Sequence, residues 1–408
     1  MATEAATTPV IDIDSLVSGD ANPPLVWEAI LGRAIDARVS DVHVLARRDN
    51  YRLSFRIDGD LLPQGNMSRP FARHLISHVK TMGEIDLAEH RRPTEGHCKM
   101  TTGGRGVDMR ISTIPTVHGE DMVVRIFDRE VGLRNLDELG MLAEQYEALR
   151  DMIDRPSGLI LVSGPSGAGK TTTLYAILQH LVRRQRKIVT IENPVEYDLE
   201  GVNQTQVNPR IGLNFANMLR AIMRQDPDII MVGEVRDEET ARTAVRAANT
   251  GHLVLATTHS ARAARAVETM LSLGVHPYFL GTALRCVIAQ VLVKTICLEC
   301  KTALNETADM IIEPAVRKRL ADGEPGVLHE GTGCDACHQS GYSGRTGLFE
   351  LFIPDDAARK LILENRPAEE ISEAAEEAEV LDIEQAGKLK VIQGITTLEQ
   401  FVEISPAP

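Results

Sequence analysis

Several groups of residues in this 408-residue sequence have the types and spacing to do chemistry. In GPSGAGKTTT, Gly164, Pro165, Ser166, Gly167, Ala168, Gly169, Lys170 and Thr171 fit the pattern G-x-x-x-x-G-K-[ST] between the apolar run LILVS and the helical pattern TTTLYAILQHLV. There, glycines let successive backbone N–H groups turn toward phosphate oxygens, and the helix start adds its positive dipole end. Lys170 reaches β and γ phosphates, the Thr171 hydroxyl holds Mg²⁺, and Thr172 completes the candidate ATP-binding set. The bland alternative is an incidental glycine-rich turn.

Acidic strand ends supply the complement. DIIMVGE ends on Glu234, placed to hold Mg²⁺ through water or to polarise the attacking water, or else a solvated strand-end acid. KIVTIENPVEY carries Glu192 and Glu196 across a proline, and Glu196 could orient and deprotonate a nucleophilic water. His252 and His259 bracket GHLVLATTHS, where an imidazole can sense a γ-phosphate; a lone histidine there is more often structural.

Cys297-Leu-Glu-Cys300 and Cys334-Asp-Ala-Cys337 form two C-x-x-C knuckles 33 residues apart. Four thiolates suit tetrahedral Zn²⁺, with a redox pair or unmetallated thiols as alternatives. The gap exceeds that of a compact ribbon, so the metal is expected to close a helical insert. CDACH also fits a c-type haem attachment pattern, set aside because that attachment happens outside the cytosol and no export signal is read at the start. Cys98 and Cys286 stand in apolar patterns and are expected as buried thiols.

Around these groups the elements fall into blocks. Residues 1–22 are small and acidic and read as a loose tail. Residues 23–129 alternate short strand patterns with two helical stretches, a small α+β domain; 130–140 is a connector. From 141 to 296, GLILVSG, KIVTIE, DIIMVG and HLVLATT are buried-strand runs separated by helical patterns, which implies a parallel sheet with crossover helices. The four-cysteine segment is 297–340, and 341–408 is read as helical. Net charge −14 and a pI near 5.4 disfavour non-specific nucleic-acid binding, which draws on Lys and Arg. No apolar stretch reaches the roughly 18 residues of a membrane span, and a cytosolic protein is expected.

Together, GPSGAGKTTT, TIENPVEY, LRAIMRQDPDIIMVGEVRDEETARTAVRAANTGHLVLATTHS, the two cysteine knuckles and GITTLEQF resemble the secretion ATPase superfamily, in particular the type II secretion and type IV pilus-assembly ATPases, from about residue 25 onward. The tetracysteine site resembles the assembly branch more than the pilus-retraction one. The resemblance implies an α/β fold, with a RecA-like P-loop core preceded by a small PAS-like α+β domain and followed by a zinc-binding insert and a helical region. It implies that Lys170 and Thr171 form the Walker A loop, that Glu192 and Glu196 belong to an acidic box with Glu196 as base, and that Glu234 is the Walker B acid. It makes His252 and His259 a histidine box, and Arg110 in DMRIST and Arg125 in VVRIF arginines that reach the active site. An arginine delivered from a separate domain neutralises γ-phosphate charge only on closure, which couples chemistry to movement; the plain alternative is a surface ion pair.

By the same resemblance the protein works as a homo-hexamer on an inner-membrane platform protein, peripheral on the cytoplasmic face, taking ATP to ADP. Departures are Asn193 where Asp is usual, Gln290-Val291-Leu292 for Gln-Arg-Leu, and His259-Ser260-Ala261. Only about two dozen residues precede the first helical pattern, so the usual N-terminal docking domain is expected to be missing. The competing expectations are a nucleic-acid translocase on the same scaffold and a non-hydrolysing nucleotide-gated scaffold.

Overall fold

Val107, Met109, Ile111 and Thr113 are buried while Asp108, Arg110 and Ser112 between them are not, a period of two that only a strand with one covered face produces. The structure, a computed structural model, describes residues 11, 13–17, 21–102, 105–128, 132–307, 311–320 and 326–404. The chain divides into two compact units.

The first unit comprises residues 1–132 with 297–301 and 331–344. Its sheet is built from β1 (Asp41–Ala46), β2 (Tyr51–Ile57), β3 (Asp60–Met67), β4 (Thr94–Thr102), β5 (Arg105–Thr116) and β6 (Gly119–Asp128), in the order β3-β2-β1-β6-β5-β4 with antiparallel neighbours. The covered face packs Val107, Met109 and Ile111 with Trp27, Ile30 and Leu31 of helix Pro23–Asp36 and with Leu75 and Val79 of helix Arg69–Met82. Trp27, Ile30, Leu31 and Ala34 recur at three- and four-residue steps, which lines one face of the first helix. The Ser68 hydroxyl caps the second by accepting the Phe71 N–H at 3.4 Å.

The loose tail expected over 1–22 needs correction where it is described. Ile11 and Ile13 are 5% and 0% exposed within this core, and the Ile11 N–H reaches Gln64 Oε1 at 3.2 Å. The alternation I-D-I-D sends the apolar pair inward despite the acidic composition; residues 1–10, 12 and 18–20 lie outside the described residues.

The second unit holds residues 133–296, 302–330 and 345–408. Its strands are β7 (Gly158–Ser163), β8 (Ile188–Glu192), β9 (Val202–Gln206), β10 (Ile229–Val232), β11 (Leu253–Thr258) and β12 (Leu284–Ile296). These six are mutually parallel in the order β12-β7-β11-β10-β8-β9. Both faces are covered, so residues alternate between two cores: Leu159, Leu161, Ile230 and Val254 on one side, Ile160, Val162, Met231 and Leu255 on the other. Each such side chain contributes roughly 2 kcal/mol of burial.

The segment between the knuckles differs from the helical insert expected. β13 (Lys301–Thr307) pairs with β14 (Val327–Gly331), and the helix described between them is only Pro314–Arg317. Leu304 and Leu328 lean on Leu389 and Val391, so strands suffice to bury the apolar positions. The region after 341 opens with β15 (Tyr342–Phe352) beside β12 before the helices 356–363, 368–377, 383–392 and 398–404. The expected connector also packs in part, through Leu136 and Leu139.

Candidate active site

β7 is buried at every position, and the chain leaves it through Gly164, Gly167 and Gly169, all at positive φ, to begin helix Lys170–Val182. Gly164 has no room for a side chain: a Cβ would meet the Gln290 carbonyl oxygen at 2.3 Å. Gln290 is itself buried, and its side-chain amide donates to Ala168 O at 2.7 Å, so β12 braces the loop from below. The Lys170 ammonium donates to Gly164 O at 2.6 Å and Pro165 O at 2.9 Å, which folds it over the loop mouth. Burial lowers its pKa, opposed by the charge of Glu234. Thr171 and Thr172 follow on the first turn, half-buried.

The strand ends converge on the same edge of the sheet. Glu234 follows β10, with Arg236 Nη2 at 2.7 Å and His259 Nε2 at 3.9 Å from its Oε2. Burial, then the charges of Lys170 and Arg236, push the His259 pKa below its ordinary value against the pull of Glu234, which favours the neutral ring at neutral pH. Hydrogen bonds from Thr257 Oγ1 to Gly233 O at 2.5 Å and from Ser163 Oγ to Ser260 O at 2.5 Å tie β11, β10 and β7 together below these groups. Lys170, Glu234 and His259 are therefore brought together. His252 is not: it precedes β11, about 20 Å away along the strand, with its Nδ1 3.0 Å from Ala247 O. A strand bracketed by two histidines cannot present both at one end.

Glu192 ends β8 at 3% exposure, and its carboxylate is fully engaged. It accepts from Tyr175 Oη, from Thr190 Oγ1 at 2.6 Å and from Gln204 Nε2 at 2.9 Å. The Glu196 N–H donates to the same Tyr175 hydroxyl at 3.2 Å, while Gln206 Oε1 accepts from Val195 N at 3.1 Å and Gln204 Oε1 from Leu199 N at 2.7 Å. The half-buried Glu196 thus rides on a loop held from both sides, and Asn193 is exposed. Sequence reasoning missed Tyr175 and Gln204. Their signal is only that a polar tip sits on an otherwise apolar helix and on a short strand.

In the first unit, the sheet face opposite the helices carries a row of polar residues in register: His97 on β4, Arg110 on β5, Arg125 on β6, Asp41 on β1 and Arg56 on β2. Arg125 Nε lies 2.8 Å from Asp41 Oδ1, and Arg56 Nε lies 4.0 Å from Asp41 Oδ2. The Arg110 guanidinium stacks over Phe127 at 4.8 Å. Arg110 and Arg125 are thus direct cross-strand neighbours on one face.

The four cysteines of the knuckles also belong to the first unit, and their Sγ atoms all lie within 4.8 Å of one another. Sulfur separations of 3.8 Å (Cys297–Cys334), 3.9 Å (Cys300–Cys337) and 3.7 Å (Cys334–Cys337) are far beyond a disulfide bond. They match the roughly 3.8 Å edge of a tetrahedron with Zn–S bonds of about 2.3 Å. Burial disfavours ionisation of Cys337, but N–H groups of Cys334 and Gly341 at 3.2 and 3.3 Å from its sulfur bring its pKa to about 7. The donor set fits a thiolate-bound zinc. Cys286 is buried, with its thiol pushed up to about 12, whereas Cys98 is half-buried on an edge strand.

Among the described residues no helix is long and apolar enough to cross a membrane. The family model for type II/IV secretion system proteins matches residues 19–403. The type II secretion system ATPase E of Vibrio cholerae is 41% identical over 397 residues, 96% of this chain and 77% of that protein. The type IV pilus assembly ATPase PilB of Thermus thermophilus is 40% identical over 367 residues, 89% of this chain and 41% of PilB. Among solved structures, the pilus retraction motor PilT with bound ADP superposes with a TM-score of 0.64 at 25% identity, over 93% of this chain and 97% of its own. The Legionella pneumophila ATPase DotB, at 20% identity and a TM-score of 0.71 over 95% and 97% of the two chains, shares the fold. With a glycine-rich loop, a lysine, an acid and a histidine gathered at one edge of a parallel sheet, and with this breadth of likeness, the chain belongs to the type II/IV secretion system family and is an ATP-hydrolysing enzyme.

Proposed function

We propose that the chain is the motor of a secretion or pilus-type assembly system, working as a homo-hexamer at the cytoplasmic face of the inner membrane against a platform protein. The gathering of Lys170, Glu234 and His259 at one sheet edge carries this reading. Backbone amides of residues 164–169 and Lys170 would hold the triphosphate of ATP, with the Thr171 hydroxyl and Glu234 on the Mg²⁺ side. Glu196 would take the proton of the attacking water, neutral His259 would contact the γ-phosphate, and Arg110 and Arg125 would supply positive charge from the smaller unit. Mg²⁺ supplies charge neutralisation of the phosphates when bound. The four cysteines would hold one structural Zn²⁺. Support for the cellular role comes from the relatives' own names, a type II secretion ATPase and a pilus assembly ATPase.

Phosphate release with Mg²⁺–ATP tests the centre of this reading: Lys170→Ala should lower turnover by about 10² or more. A variant that keeps near-normal turnover would remove the phosphate-loop assignment, with the motor role built on it. Metal analysis should find one zinc per chain, and preparations that are active, fully folded and metal-free would remove the zinc.

A further inference from the structure

The phosphate loop and the acidic loop after β8 come from different parts of the second unit, and a catalytic pair drawn from both needs something to fix their separation. Helix Lys170–Val182 carries Thr171 and, one turn later on the same face, Tyr175. Tyr175 is 1% exposed, its ring meets Tyr197 edge-on at 6.1 Å, and its hydroxyl lies between Glu192 Oε2 and the Glu196 N–H.

We propose that Tyr175 is a positioning residue for hydrolysis: its hydroxyl donates to the buried Glu192 carboxylate, accepts the Glu196 backbone N–H, and so sets the candidate base at a fixed distance from the helix that carries Lys170 and Thr171. The proposal rests on the assignment of Glu196 as base. An ionised carboxylate can only accept, so the tyrosine proton must point at Glu192, which leaves the oxygen lone pairs for the Glu196 N–H. Burial and the charge of Glu192 hold the phenol well above its usual range, so that proton stays in place. Thr190 and Gln204 complete the acceptance at Glu192 and stop it from turning away. A hydroxyl replaced by hydrogen would leave the ring packing intact, free the loop and take one of the three donors from Glu192.

Tyr175→Phe isolates that contribution. The expected result is a kcat lowered about tenfold to a hundredfold with KM for ATP within about threefold, since misplacement by about 1 Å is costly to the chemical step and not to phosphate binding. In the double variant with Glu196→Gln the tyrosine change should cost nothing further, because the group it positions is gone. A purely structural tyrosine would multiply with Glu196→Gln, whatever either change does to the unfolding midpoint. Near-normal kcat in Tyr175→Phe beside a crippled Glu196→Gln overturns the positioning role and leaves the base in place; near-normal Glu196→Gln removes both. Hydrogen exchange on the unaltered enzyme gives an independent test should the variant fold poorly. The Glu196 amide should be protected relative to exposed Asn193, and equally fast exchange at both sinks the proposal.

Discussion

Glu192 and Asp41 are both strand carboxylates at 3% and 4% exposure, one in each unit, yet their partners are of opposite kinds. Glu192 is satisfied by a phenol, a hydroxyl and an amide, with no ion pair among the described residues. Asp41 is satisfied by the Ser40 hydroxyl at 2.8 Å and by the guanidinium of Arg125, whose side chain is 62% exposed. Neutral donors inside a low-dielectric core make a fixed frame, because no competing ion reaches them. A guanidinium at the water surface makes an exchangeable contact worth little by itself, so it can leave for another anion at small cost. The larger unit thus holds its carboxylate in a fixed frame, whereas the smaller one leaves its carboxylate in an exchangeable ion pair.

The comparison breaks most visibly at Glu192. Glu192→Ala should destabilise the second unit by about 3 kcal/mol, read from the urea midpoint, because three buried donors lose their acceptor at once. A loss no larger than for an exposed glutamate would show that the frame is not rigid.

A third buried carboxylate sharpens the contrast. Glu350 on β15 accepts the Ala263 N–H at 3.1 Å with Oε1, and its Oε2 finds no partner among the described residues. Burial first, with Asp382 and Glu376 adding to it and the Ala263 N–H and Arg262 opposing, raises its pKa to about 7. A folded pKa above the unfolded value means that the folded chain binds the extra proton, so this contribution is complete below about pH 4.5 and is lost as pH rises through about 7. Glu350→Gln should remove that slope, a relative gain of at most about 3 kcal/mol at pH 8. Parallel curves for both proteins between pH 4.5 and 8 would contradict the assignment.

The smallest effect concerns the arginines, where paired variants separate the two readings of Arg125. Arg125→Ala should lower kcat by about tenfold or more if it meets phosphate, while Asp41→Asn should stay within about threefold. Equal losses would reduce Arg125 to the ion-pair partner of Asp41.

Much of the larger unit was legible because its signals are local. An uninterrupted aliphatic run ending in glycine says buried parallel strand, and the spacing of Gly164, Gly169 and Lys170 says that a phosphate loop comes next. Tyr175 and Gln204 were not legible, because a polar tip on a buried or short-strand residue acquires meaning only from what folding brings opposite. The segment between the cysteine pairs misled by its length: 33 residues suggested helix, whereas β13 and β14 bury their leucines against distant helices that no local pattern announces. Ile11 and Ile13 were lost in the acidic average of their neighbours. His252 and His259 bracket one strand, and only His259 comes near Glu234, which the opposite ends of β11 require.

The tight connection at Val117–His118 between β5 and β6 fixes which residues sit side by side across those strands. Side chains change faces at every step, so a slip of one residue between these strands would leave Arg110 and Arg125 on opposite sides of the sheet, one of them driven among Trp27 and Leu75. The short bend leaves the strands little room to slip, and so it guards the side-by-side placement of the two arginines along with the hairpin itself.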